Sequence, residues 1–469
     1  MPKPDLAPLA MYVARHRRAE YVVWLGPDAG VLPRMAEEFV LLAADRPDRV
    51  GALRTSLGGT WLEHDFESRP FVVALPEAVR SSIVVCNDVI ARPYARAHAI
   101  ASLQVAVGNG STAIVTAPEA GPAARHGLER TEFTALLASA GLAPTFVGRT
   151  ATDDVTFAKT TLLAIVEPEA LRPAVWRTPP PDFRVVAIIT AFNEADVIEG
   201  TIEYLIGQGV DVYLMDNWST DDTVRLASRY LGRGVVAIER NPLQDTASYD
   251  LEKVLSRMEH LSSALDADWF VDYDADEIRR SAFRGVDLRT SLYAIDRLGY
   301  NAVDFTVMNF RPTDESFRPG MSLEAHFRGF EWGKTPDHLR QRKGWKNLGK
   351  PVFLLERAGH DVLFDDRNLY PYKFMNKHYP VRSQAHGERK VIRERRERFN
   401  RRERDLRKWH VHYDEMPVAP NFLHDPATLV HYDPETFHED YLVERLTGIG
   451  SSRAPDYLDM YLNHHGESV

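Results

Sequence analysis

Asp268-Trp269-Phe270-Val271-Asp272-Tyr273-Asp274-Ala275-Asp276-Glu277 is the stretch on which the reading of this chain turns. An apolar run that fits a short buried strand ends here in four carboxylates within six residues. Like charges that close repel strongly unless something neutralises them. A divalent cation is the simplest neutraliser, because Mg²⁺ and Mn²⁺ take oxygen ligands and commonly use one or two protein carboxylates plus a substrate diphosphate. Asp274 and Asp276 suit that role: residues two apart on a strand share a face, and Ala275 points away. Taken alone, Asp-x-Asp is equally compatible with an acidic surface turn, and the residues upstream decide between the two.

Upstream, Val185-Val186-Ala187-Ile188-Ile189-Thr190 reads as a fully buried strand, with Asn193 placed to cap the helix that follows. Ile198, Ile202, Leu205 and Ile206 share one face of that helix, and Gly209 is placed to end it. Asp211 to Met215 is the next strand, after which Ser219 and Asp222 have capping-box spacing ahead of a helix from Val224 to Leu231. A third strand, Gly234 to Ile238, and a helix from about Asp250 to Leu265 lead to the acidic stretch. This alternation predicts a doubly wound α/β half, in which ligands sit beyond the carboxyl ends of the strands. Asn193, Glu194, Asp216, Asn217, Asp274 and Asp276 collect at those ends. Carboxylates there can bond a ribose hydroxyl or a base edge while a metal holds the diphosphate, which points to a nucleotide-diphosphate site.

Thr190-Ala191-Phe192-Asn193-Glu194, Asp216-Asn217-x-Ser219-x-Asp221-x-Thr223 and Asp274-x-Asp276 stand in the order and spacing of a family-2 glycosyltransferase of the GT-A fold, which residues 184 to about 280 resemble. The resemblance implies an inverting transferase using a nucleotide-activated sugar. Asn193, Glu194 and Asp216, with Thr190, Phe192 and Asn217 beside them, would line the nucleotide-sugar pocket, and Asp274 with Asp276 would hold Mn²⁺ or Mg²⁺. Later, Ala358-Gly359-His360 and Lys377-His378-Tyr379-Pro380-Val381-Arg382-Ser383 look like motifs of a subgroup of the same family. His378 would be a third metal ligand, and Lys377 and Arg382 would neutralise the departing diphosphate. Inverting transfer needs a base for the acceptor hydroxyl, and Asp314 and Glu315, after the strand Val303 to Phe310, are the candidates, with Glu331 and Asp337 behind them. Lys343, Trp345 and Lys346 are a candidate acceptor edge.

The segment before residue 178 alternates strand and helix patterns at Tyr21 to Leu25, Phe71 to Leu75, Ser82 to Ile90 and Thr112 to Thr116, with a helix expected from Met35 to Ala44. Val84-Val85-Cys86-Asn87-Asp88-Val89-Ile90, Thr116-Ala117-Pro118-Glu119 and the helix Glu132 to Leu137 leading to Gly141-Leu142 resemble the later half of a class I S-adenosylmethionine-dependent methyltransferase. The fuller glycine-rich first motif, and an acidic residue ending the second strand, are not read between residues 21 and 60. The expectation is a smaller, incomplete, non-catalytic relative that does not bind S-adenosylmethionine.

Prolines 173, 179, 180 and 181 mark a connector. The expected organisation is a methyltransferase-like domain over 1–178, the GT-A domain over 179–390, and a helical extension over 391–469 packed on the latter. From Glu388 to Lys408 eleven Lys/Arg accompany five Asp/Glu, a pattern read as a solvated surface helix.

A chain of 469 residues exceeds one ordinary core, and 44% apolar with 26% charged residues is a globular balance. A formal net charge of −10 argues against nucleic acid as a partner. The single cysteine, Cys86, excludes an intrachain disulfide. No signal-peptide pattern opens the sequence, and no apolar run approaches the roughly 20 residues of a membrane span. These features predict a cytoplasmic enzyme, at the inner face of the membrane if its acceptor is lipid-linked. The acceptor class is a sugar, a lipid-linked sugar or a polysaccharide, and cell-envelope polysaccharide or glycolipid synthesis is the family-level expectation. Two rival readings stand beside it: a bifunctional glycosyltransferase and methyltransferase, and a non-catalytic nucleotide-sugar-binding assembly protein.

Overall fold

A computed structural model of the protein describes residues 6–19, 21–26, 40–45, 60–63, 82–121, 127–151, 160–244, 248–333, 338, 341–396, 398–407, 409 and 420–434. The chain divides between Arg172 and Pro173 into two compact units, the second running over residues 173–433.

Among the described residues the first unit has seven strands: β1 (Tyr21–Leu25), β2 (Val40–Asp45), β3 (Thr60–Glu63), β4 (Ser82–Cys86), β5 (Thr112–Pro118), β6 (Phe146–Ala151) and β7 (Thr160–Val166), in the order β3-β2-β1-β4-β5-β7-β6. The first five are mutually parallel, and β7 runs antiparallel between β5 and β6. Central strands of a parallel sheet need apolar residues throughout, and β4 is buried along its whole length. Helices Arg96–Gly108 and Arg130–Ser139 supply Leu103, Phe133 and Leu137 to that core. The sheet is an α/β methyltransferase-like one, as expected. Residues 40–44, expected in a helix, form β2, because Val40-Leu41-Leu42-Ala43-Ala44 is a continuous apolar run without a polar face. An acidic residue, Asp45, does end this second strand. The expected strand at Phe71 to Leu75 lies outside the described residues.

Among the described residues the second unit has ten strands: β8 (Val185–Ala191), β9 (Asp211–Asp216), β10 (Val235–Arg240), β11 (Trp269–Asp274), β12 (Glu277–Arg280), β13 (Ala302–Phe310), β14 (Gly329–Trp332), β15 (Gln341–Lys346), β16 (Phe374–His378) and β17 (Val430–His431). The order is β10-β9-β8-β11-β15-β13-β14-β17, and its first four strands are parallel. This parallel part has the layout of a GT-A architecture, with β8 between β9 and β11. Helix Ile198–Gly207 buries Ile198, Ile202 and Leu205, and Gly209 follows it at φ +70°. Helix Leu251–Ala264 is capped by Asp250, whose side chain accepts from the Lys253 backbone N–H, and it packs Leu255 and Met258 with Phe270 and Trp345.

After β11 the chain turns at Ala275-Asp276, and β12 leaves its neighbour to pair antiparallel with β16, setting Glu277 opposite His378. Strand β16 in turn pairs parallel with β13, setting Asn309 opposite His378.

Two expected caps are absent. Asn193 is not a helix cap: the helix starts at Ile198, and Asn193 adopts φ +54° in the loop. The Ser219/Asp222 capping box does not form, because the Ser219 hydroxyl accepts from the Asn193 N–H instead. The basic stretch is also not a solvated surface helix. Glu388–Arg395 winds as a π-helix with Lys390 and Val391 buried, and a short helix follows at Arg401–Arg407. No helix among the described residues is long and apolar enough to cross a membrane. The part of the expected helical extension beyond residue 434 lies outside the described residues.

Candidate functional site

The carboxyl ends of β8, β9 and β11 converge as the sequence pattern requires. Thr190 Oγ1, on β8, donates to Asp274 Oδ1 at 3.2 Å, joining the first and last motifs. The Asn193 side-chain oxygen accepts from the Thr220 backbone N–H at 2.8 Å, tying the loop after β8 to the loop after β9. Asn193 and Trp218 both hold left-handed backbone conformations, φ +54° and +62°. Such conformations are uncommon for residues with side chains and cluster at functional sites. Asp216 is buried and accepts from the Ser219 N–H; its burial outweighs that bond and raises its pKa. Asn217 donates to the Asn241 carbonyl oxygen.

The metal-binding candidates divide. Asp276 is 3% exposed, and its Oδ1 lies 3.9 Å from His378 Nε2. His378 Nδ1 lies 3.0 Å from Asn309 Oδ1, an acceptor, so Nδ1 carries the proton and Nε2 presents its lone pair towards Asp276. Burial lowers the His378 pKa, which keeps the ring neutral. One carboxylate oxygen and one neutral imidazole nitrogen fit a divalent ion that takes its remaining ligands from a substrate diphosphate. Asp274 is turned to Thr190 and to Lys343 Nζ, 3.6 Å away, and its carboxylate is half-exposed. A second group, Glu194, Asp196 and His386, brings its ligand atoms within 4.8 Å of one another. Arg382 already fills it, donating to Glu194 at 2.7 Å and to Asp196 at 2.7 and 2.9 Å.

The site is electrostatically closed by the basic segment. Lys390 Nζ lies 2.6 Å from Asp276 Oδ2 and 2.5 Å from Glu194 Oε1. Arg395 approaches Glu194 at 3.8 Å and Arg382 approaches Asp276 at 3.9 Å. Burial pushes Asp276 upwards, but Lys390, with Arg395 and Arg382 beyond it, outweighs burial and holds the carboxyl well below the usual carboxylate range. The Arg398 guanidinium lies 3.5 Å from the centre of the Phe192 ring and donates to Asn217 Oδ1. Lys390 and Arg398 were missed in the sequence because a dense mixed-charge run looks like a solvated face, and Asp196 and His386 because nothing local to them marks a site. The one signal in that run was the Val391-Ile392 pair, which marks a side that packs.

Other expected residues have partners of their own. Lys377 faces away from His378, as neighbours on a strand must; it pairs with Glu324 at 2.6 Å beneath Tyr432, and burial lowers its pKa to about 8. Arg382 is committed to Glu194 and Asp196 rather than standing free for a diphosphate. Asp314 is exposed and accepts from the Ser316 N–H at 2.7 Å, while Glu315 accepts from the Gln384 N–H at 2.8 Å. Asp314 lines a cavity of about 190 Å³ with Arg311, His326, Arg328 and His431. Glu331 pairs with Arg311, and Asp337 lies outside the described residues. Trp345 is fully buried against Phe270, so it is no platform for an acceptor sugar; Lys343 pairs with Asp272 and Lys346 with Asp296.

Residues 186–245 match the model of the family described as Glycosyl transferase family 2. No curated protein matches the chain. Among solved structures, the Mycobacterium tuberculosis glucosyl-3-phosphoglycerate synthase in complex with Mn²⁺, UDP and glucosyl-3-phosphoglycerate is similar at 22% identity over 20% of this chain and 34% of that one, with a TM-score of 0.16. S. aureus TarS is similar at 12% identity over 35% of this chain and 28% of that one, with a TM-score of 0.24. The chain therefore spans about a third or less of either protein's length. The Burkholderia thailandensis 1,6-didemethyltoxoflavin-N1-methyltransferase is similar at 13% identity over 34% of this chain and 78% of that one, with a TM-score of 0.27.

Proposed function

The chain carries a glycosyl transferase family 2 domain, and from that premise we propose that it moves a sugar from a nucleotide-diphosphate donor to an acceptor hydroxyl with inversion at the anomeric carbon. The observation that carries this reading is the meeting of Thr190 with Asp274 and of Asp276 with His378, at the ends of strands where an α/β sheet binds its ligands. In this proposal Phe192 offers its ring to the base, Asp216 and Asn217 bond the base edge, and Glu194 and Asp274 bond the ribose. Asp276 and His378 hold Mn²⁺ or Mg²⁺, which when bound supplies positive charge to the departing diphosphate. Asn309 keeps the His378 proton on Nδ1, so that Nε2 remains a ligand.

Asp314 or Glu315 takes the acceptor proton, and the cavity beside Asp314 receives the acceptor. A sugar, lipid-linked sugar or polysaccharide acceptor, and work at the cytoplasmic face of the membrane, complete the proposal. The preceding unit serves as a scaffold.

The test is nucleotide release from a panel of UDP-, GDP- and dTDP-sugars with Mn²⁺, with and without candidate glycan acceptors. Wild type is expected to release nucleotide from one donor class. Asp276→Asn, which removes a metal ligand's charge, is expected to lower the rate by about a hundredfold or more. Donor that binds but is never cleaved with any acceptor would favour the assembly-protein reading.

A further inference from the structure

Five of the residues assigned to the donor site already have partners from one short segment, 389–398. Lys390 holds Asp276 and Glu194. Glu394 accepts from the Asn193 side-chain nitrogen at 3.0 Å. Arg398 covers the Phe192 ring at 3.5 Å and donates to Asn217. The segment is anchored beyond these contacts: the Tyr249 N–H donates to the Arg398 carbonyl oxygen, and Glu403 accepts from the N–H groups of Leu251 and Glu252.

Each contact uses the feature a donor would need. Lys390 is 3% exposed, and its ammonium takes one oxygen of the carboxylate whose other oxygen faces His378. A divalent ion on Asp276 and His378 would lie beside that ammonium, and two cations on one buried carboxylate repel strongly. A guanidinium lying on Phe192 occupies a ring face on which a base would stack. The charges also balance without a ligand: Asp276, Glu194 and Asp196 face Lys390, Arg382 and Arg395.

We propose that segment 389–398 is a resident occupant of the donor site, with Lys390 in place of the divalent ion on Asp276 and Arg398 in place of the base on Phe192, and that the donor with its ion enters by displacing it. The inference rests on the donor-site reading. Binding is then a competition, and the freed arginines and lysine become available to close over the bound diphosphate.

The experiment has two arms, neither of which reads turnover. Mn²⁺ alone is titrated by electron paramagnetic resonance into folded wild type, Lys390→Met and Lys390→Arg. Lys390→Met is expected to bind Mn²⁺ about tenfold tighter or more, Lys390→Arg to stay near wild type, and Asp276→Asn added to Lys390→Met to abolish the gain. In wild type, hydrogen exchange of residues 389–398 is followed as Mn²⁺ with UDP, GDP or dTDP is added; exchange is expected to accelerate about tenfold when nucleotide binds. This arm stands even if Lys390→Met fails to fold. The proposal is overturned if folded Lys390→Met binds Mn²⁺ no tighter than wild type. It is also overturned if nucleotide binds equally well in EDTA with the segment still protected, which would make Lys390 the permanent cation of a working donor site. If no nucleotide binds any variant, the donor-site reading itself fails, and this inference with it.

Discussion

His386 shows how strongly single residues feel this site. Burial, reinforced by Arg382, Lys390 and Arg389, lowers its pKa far below the ordinary histidine range. The folded ring stays neutral, while in the unfolded chain it titrates near 6.5. Below about pH 6.5 the unfolded state therefore binds a proton that the folded state does not, and stability falls as pH drops, by about 1.4 kcal/mol per pH unit. His386→Asn, which keeps an acceptor for the Arg382 N–H, is expected to lose melting temperature less steeply than wild type between pH 6.5 and 5. Parallel slopes would contradict this account of His386. At this scale the acidic residues were legible, because carboxylates packed into one short stretch demand a neutraliser. Their neutralisers were not: Lys390 lies 114 residues from Asp276, and nothing local in a basic run says which of its lysines is buried.

Among the elements, the pairing of β12 with β16 does most to shape the site, since it carries His378 to Asp276. The hydrophobic strands β8, β9 and β11 were visible as apolar runs ending in polar loops. The β12–β16 pairing was not, because Glu277-Ile278-Arg279-Arg280 has no strand periodicity of its own, and Arg279 is buried against Glu277 and the Phe305 and Tyr273 rings. Residues 40–44, the described part of the helix expected from Met35, form a strand for a related reason, since a short apolar run fits a strand or a helix until its neighbours are known. One element-level contact gives a direct stability test. Strands β13 and β15 pack so closely at Gly344 that a Cβ there would run into the Val303 side chain. Gly344→Ala is expected to cost about 1–3 kcal/mol by overpacking, read as a lower denaturation midpoint at unchanged m-value. A midpoint equal to wild type would contradict that packing.

At the scale of the whole molecule, two α/β units share one chain, and the candidate site described above lies in the second. The first has Gly26 at φ +108°, Asp45 at the end of its second strand, and Asn87 and Asp88 bonded to the Thr116 hydroxyl. The sequence that follows β1, Gly26-Pro27-Asp28-Ala29-Gly30, nonetheless lacks the further glycine that lets a cofactor approach the backbone. Titration with S-adenosylhomocysteine is expected to show no saturable binding, and micromolar binding would restore the bifunctional reading. The central claim is that the ends of β8, β9 and β11 bind a nucleotide diphosphate through a divalent ion. Calorimetric titration of UDP, GDP and dTDP, in Mn²⁺ and in EDTA, into wild type and the double variant Asp274→Asn/Asp276→Asn tests it most directly. The account predicts Mn²⁺-dependent binding of one nucleotide class to wild type, lost in the folded double variant. No binding to folded wild type, or binding that survives loss of both carboxylates, would contradict it.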